Sequence, residues 1–160
     1  TFDSKMKTSG SVMGRAKPLP TALFKGYEGS DLMISTYGTV FISVKDSEKH
    51  NAIKIAARFH QLGFKLLATE GTANVLAEEG ITTGIIEKVQ EGSNSLLEKI
   101  KQHRINLVIN VTSLSDSASH DAIMIKDAAL STHIPVFSSL QSAQDVLIVL
   151  ETLAMTTQPL

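Results

Sequence analysis

The chain of 160 residues carries 42% apolar and 19% charged residues, a formal net charge of −1 and no cysteine. That length and balance suit one globular domain with a sizeable core. They exclude a polybasic nucleic-acid or membrane-surface binder, and with cysteine absent they exclude disulfides, thiolate nucleophiles and cysteine-ligated zinc.

A reducing cytoplasmic setting is permitted by the lack of thiols. The opening "TFDSKMKTSGSVMG" lacks the apolar region of a signal peptide, and no apolar stretch approaches the ~18 residues of a membrane span. A first residue other than methionine leads to the expectation that the chain is a fragment of something longer. Residues 1 to 38 are interrupted by Gly10, Gly14, Pro18, Pro20, Gly26, Gly29 and Gly38, and one short helix is expected there, Thr21 to Gly26. From Thr39 onward short β-branched apolar runs alternate with amphipathic stretches. This is the pattern of repeated βα units around a parallel sheet, and it puts a domain boundary near residue 38.

In chain order the predicted strands are "TVFISV" (39 to 44), "KLLAT" (65 to 69), "IIEKV" (85 to 89), "NLVINV" (106 to 111) and "IPVFSS" (134 to 139). The first intervening helix, about Ser47 to Leu62, puts Ile53, Ala56, Phe59 and Leu62 on one side and stops at Gly63. The second runs from Gly71 to Glu79 and stops at Gly80. Ser95 and Glu98 form a capping box for a third helix ending near Gln102. Two longer helices, about 119 to 132 and 141 to 155, complete the set.

Every strand of a parallel sheet ends on the same edge, where helix N-termini also point and ligands bind. A binding site is therefore sought in the residues just past each strand end. Lys49 comes after the first strand, Thr69-Glu70-Gly71-Thr72 after the second, Lys88 stands near the end of the third, and Asn110 and Thr112 close the fourth. Free amides at the helix start, a glycine that permits close approach, two hydroxyls three residues apart and two ammonium groups could together hold a phosphate. Asn110 and Thr112 could read a sugar or a base edge. The turn "TEGT" alone reads first as a plain helix cap, and Glu70 repels an anion; the cradle reading rests on the other residues at the same edge.

Other constellations are weaker. His50, His60, His103, His120 and His133 show no metal-ligand spacing, so no metal site is expected. "SDSASHD" (115 to 121) reads as a serine-rich capping loop rather than a catalytic triad. No Walker loop and no GxGxxG occurs.

The stretches "GTVFISVKDSEK", "GFKLLATEGTANVLAEEGI", "EKVQEG", "LVINVTS" and "IPVFSSLQSAQDVL", between about 36 and 154, resemble the methylglyoxal synthase-like domain that closes the large subunit of carbamoyl-phosphate synthase. The leader "MKTSGSVMGRAKPLPTALFKG" (6 to 26) is similar to the end of that subunit's second ATP-grasp half. The resemblance implies a Rossmann-like α/β sandwich with a five-stranded parallel sheet over 39 to 160, and a leader over 1 to 38. It also implies an allosteric domain in pyrimidine or arginine biosynthesis, not itself an enzyme, that binds a small effector such as UMP, IMP or, in some members, N-acetylglutamate. The effector residues implied are Lys49, Thr69, Gly71 and Thr72, with Lys88, Asn110 and Thr112 nearby.

The remainder of the large subunit and a glutaminase subunit would be the partners. ATP, Mg and bicarbonate would bind outside this chain, with no cofactor, nucleic acid or membrane for the fragment itself. Three positions depart from the nucleotide-binding pattern: "DAIMIKDAA" (121 to 129) has Ile123, Lys126 and Asp127 where arginines are usual, and Lys lacks the bidentate geometry of Arg. The tryptophan typical of an N-acetylglutamate site is absent. Two alternatives accompany this expectation. One is a vestigial domain with no effector. The other is a methylglyoxal synthase-type phosphate lyase, for which Asp116, His120 and Asp121 are faint echoes of the catalytic loop.

Overall fold

The computed structural model describes residues 21–25, 31–88, 95–113 and 120–157, and of these the side chains from Ile34 to Thr156. Residues 1–20, Asp116 with most of the "SDSASHD" loop, and the end of the predicted third strand lie outside the described residues.

Two antiparallel strands come first, β1 (Thr21–Lys25) and β2 (Asp31–Ser35), in register from Thr21 against Ser35 to Lys25 against Asp31. The expected helix at 21 to 26 is thus corrected to a strand. "TALFK" is followed by "DLMIS", a second short run rich in large apolar residues with which it can pair, whereas an isolated five-residue helix would leave most of its amides without partners.

The regular part begins with β3 (Thr39–Val44). A 3-10 turn at Asp46–Glu48 leads into α1 (Lys49–Gln61), then β4 (Lys65–Ala68), α2 (Glu70–Glu78) and the two-residue β5 (Gly84–Ile85). After it come α3 (Ser95–Lys101), β6 (Leu107–Val111), α4 (His120–Ser131), β7 (Val136–Phe137) and α5 (Leu140–Thr157). Strands β5, β4, β3, β6 and β7 lie side by side in that order, all parallel. The predicted five-stranded parallel sheet is present. Its two edge strands are shorter than expected because each has a neighbour on one side only.

Alternation along the strands divides the core in two. Val40, Ile42 and Val44 of β3, with Leu66, Leu107, Ile109 and Val111, pack against Ala52, Ile55, Ala56 and Phe59 of α1, Leu76 of α2 and Val146, Leu147 and Leu150 of α5. On the other face Phe41 and Val108 pack against Leu96, Leu97 and Ile100 of α3 and Ile125, Ala128 and Ala129 of α4. The buried face of α1 is turned from the expected one, with Ala52 and Ile55 in the core and Ile53 at its border. Ile34 of β2 is buried in the first cluster, so β2 contributes to that core. Phe59 and Phe64 meet edge to face at 5.4 Å where α1 hands over to β4.

Candidate functional site

The chain runs outward from β3 in two directions: α1, β4, α2 and β5 to one side, then β6, α4 and β7 to the other. The strand order therefore reverses between β3 and β6, and the helices that follow these strands cover opposite faces. A crevice opens at the carboxyl end of such a pair because no helix bridges it. Here it is a cleft of about 490 Å³ lined by the ends of β3 and β6, by Thr69 and Lys88, and by Leu96, Asp121, Ala122 and Ile125 from α3 and α4.

The polar floor results from a period of two. On β3, β4 and β6 the inward positions of the α3–α4 face are Phe41, Leu67 and Val108, all in or against the second core cluster. Two residues further along the same face come Ser43, Thr69 and Asn110, where the helices no longer cover the sheet. Ser43 stands opposite Asn110 in register, and its Oγ is 3.2 Å from Thr69 Oγ1. Three polar side chains on neighbouring strands thus form one contiguous floor, and Thr112 extends it by one more step.

Thr69 occupies the N-cap position of α2 with extended dihedrals, yet its hydroxyl makes no capping bond. It faces Ser43 instead. The hydroxyl of Thr72 is spoken for: Thr72 is 1% exposed, and its Oγ1 accepts the Val44 N–H at 3.3 Å. It does not line the cleft; it ties the start of α2 to the end of β3. Gly71 lies beneath Lys49, where an added Cβ would come within 3.2 Å of Lys49 Cε. The predicted residues therefore separate into five that line the cleft, Lys49, Thr69, Lys88, Asn110 and Thr112, and two that support it, Gly71 and Thr72.

Lys49 is the first residue of α1, where a cation opposes the helix dipole. Its ammonium bends back to donate to the Val44 carbonyl at 2.8 Å and to Asp46 Oδ1 at 2.7 Å. That ammonium holds the Asp46 carboxyl below the usual carboxylate range, first through the hydrogen bond and then through charge, with a smaller contribution from Lys88. Lys45, Lys49 and Lys88 stand against Asp46 and Asp121 around the cleft, so one positive charge remains in excess.

Three polar lining residues are new relative to the sequence-based expectation, Ser43, Lys45 and Asp46, while Asp121 belongs to the expectation only through the lyase alternative. Ser43 was accessible to the alternation that places Phe41 inward. Asp121 sits in the first turn of α4, where a carboxylate suits the dipole. Ile123, Lys126 and Asp127 lie exposed on α4, and none of them lines the cleft. Among the described residues no cluster of acidic and histidine side chains is placed to hold a metal ion, and no helix is long and apolar enough to cross a membrane.

Comparison with known proteins bears on this geometry. The model of the MGS-like domain matches residues 51–138. Among solved structures, methylglyoxal synthase from Elizabethkingia anophelis NUHP1 superposes with a TM-score of 0.58 at 18% identity, over 71% of this chain and 79% of its own. The structure of ForH superposes with the same TM-score at 22% identity, over 72% of this chain and 80% of its own. At such identities these two likenesses speak for the α/β fold.

Proposed function

Because the chain belongs to the MGS-like domain family, we propose that its cleft binds a small phosphorylated ligand, a nucleoside monophosphate such as UMP or IMP. On this reading the domain is the allosteric portion of a carbamoyl-phosphate synthase large chain. The observation that carries it is the convergence of Lys45, Lys49 and Lys88 over the Ser43, Thr69, Asn110 and Thr112 floor at the switch point of the sheet. The volume of about 490 Å³ falls in the range of pockets that enclose drug-sized molecules. A three-carbon phosphate would leave most of it to water.

Phosphate oxygens would meet Lys49 and the Thr69 hydroxyl, while Asn110 and Thr112 offer an amide and a hydroxyl to the sugar or base. An effector bound here alters a distant active site only if two states of the whole enzyme hold it with different affinity, typically a coupling of about 1–3 kcal/mol. The resemblance of the sequence segments to that synthase supports the regulatory role. On this reading the partners would be the rest of the large chain and a glutaminase subunit.

The position of Asp121 in the cleft favours a second reading. A carboxylate beside a phosphate cradle can serve as a base, and proton abstraction from dihydroxyacetone phosphate followed by loss of phosphate is the reaction of methylglyoxal synthases. Thermal unfolding in the presence of UMP, IMP, N-acetylglutamate or inorganic phosphate tests the first reading. A ligand at a hundred times its Kd adds about 2.7 kcal/mol, and no midpoint shift with any of them would refute the effector site. Methylglyoxal formed from dihydroxyacetone phosphate, lost in Asp121→Asn, would establish the second.

A further inference from the structure

The contact between Asp46 and Lys49 has a geometry unlike that of an ordinary surface pair. The Lys49 side chain is 19% exposed, pinned by the Val44 carbonyl and packed over Gly71. Asp46 is 98% exposed, anchored by that single contact at the lip of the cleft. One partner is fixed and the other can swing into water without disturbing any packing. The carboxylate also feels Lys88 across the cleft. It therefore occupies the electrostatic place that the site would give to a bound anion.

We propose that Asp46 is a resident competitor for the phosphate: it holds the Lys49 ammonium when the cleft is empty and must leave it when a phosphorylated ligand binds. This rests on the proposed phosphate-ligand function and adds a threshold to it. Any anion must offer Lys49 more than the tethered carboxylate does, and a carboxylate that stayed in place would repel it. Because the competition is confined to the ammonium, removing it should strengthen every phosphate ligand by one common factor, whatever the rest of the ligand contacts.

The test is calorimetric titration of the intact protein at low ionic strength and pH 8, with inorganic phosphate and separately with UMP, in wild type, Asp46→Asn and Lys49→Met. Asn keeps the shape and a neutral acceptor for Lys49, and a residue this exposed can be changed without affecting folding. Asp46→Asn should tighten both ligands about 5- to 10-fold, the scale of one exposed ion pair lost together with one repulsion. The gain should shrink as salt is added. Lys49→Met should abolish the phosphate response. Binding in Asp46→Asn but not in wild type would be the same result in its extreme form. Wild-type binding that Asp46→Asn leaves unchanged or weakens, while Lys49→Met removes it, would overturn the competitor and leave the cleft reading intact. Absence of binding in all three proteins would refute the ligand reading, and the competitor with it.

Discussion

The two ends of the parallel sheet are built from the same repeating unit and put to different use. At the carboxyl end, Ser43, Thr69 and Asn110 stand together where β3, β4 and β6 run out, and the ion pair there joins a pinned lysine to an almost fully exposed aspartate. At the amino end the helices stop and the chain turns back. Gly63, Gly80, His103 and His133 end α1, α2, α3 and α4 with positive φ, and the ion pair there, Arg58 with Glu151, is bidentate between two helices. At the amino end Arg58 is paired with Glu151 and Asn106 with the Thr39 amide. At the carboxyl end several polar groups remain directed at a cleft, which is the physical difference between a turn and a site.

The sharpest test of that contrast is Gly38→Ala at the amino end. Gly38 has φ of 122°, and an added Cβ would fall 2.0 Å from Asn106 Oδ1, the acceptor for the Thr39 N–H at 2.9 Å. Backbone strain and the broken bond together should cost about 3 kcal/mol, seen as a lowered urea midpoint. Ligand response in the protein that remains folded should be unchanged.

The two threonines of "TEGT" should then behave in opposite ways. Thr72→Val removes the acceptor for the buried Val44 amide and should cost about 1–2 kcal/mol in urea unfolding, recovered by Thr72→Ser. Thr69→Val should cost less, about 0.5–1 kcal/mol, because the hydroxyl of this buried residue caps nothing and meets only Ser43, yet it should weaken phosphate binding. If Thr72→Val weakens the ligand without touching stability, the division into lining and supporting residues is wrong.

This division shows where sequence reasoning reached and where it stopped. Thr39 to Val44, Lys65 to Ala68 and Leu107 to Val111 were recognisable as strands because the runs are apolar on both faces, as a doubly covered sheet requires. The carboxyl edge could then be located by counting, and five of the named residues do line one cleft. Spacing alone could not say which way Thr72 turns, since position 3 of a helix can face either the strand end or the crevice. Nor could it reveal that Asp46 would reach Lys49 three residues away, because that contact depends on the 3-10 turn between β3 and α1. The strand at 21–25 escaped because its stability lies in pairing with 31–35 rather than in its own pattern.

The amino-end ion pair gives a pH test of smaller size. Two hydrogen bonds from the Arg58 guanidinium hold the Glu151 carboxyl below its ordinary range, while its partial burial opposes that shift. A depressed carboxyl stabilises the fold above its unfolded titration range and loses that contribution as pH falls through the folded one. Stability should therefore decline below about pH 4.5, with a slope that Glu151→Gln reduces. With both side chains about a third exposed, the pair is worth at most about 1 kcal/mol.

The smallest effect belongs to the helix stops. His103 and His133 adopt φ of 57° and 59°, the same left-handed role that glycine fills after α1 and α2. Their amides donate to the carbonyls of Ile100 and Leu130, so the backbone geometry of the stop is made regardless of side chain. A β-carbon in that region costs about 1 kcal/mol, and glycine returns part of the relief through its greater freedom in the unfolded chain. His103→Gly and His133→Gly should each raise stability by about 0.5 kcal/mol in urea titrations, additively, because the two turns are separate. Neither should alter the affinity for phosphate. A gain at one turn and a loss at the other would mean that the losing imidazole makes a contact beyond its own backbone, and the amino end could no longer be described as four equivalent stops.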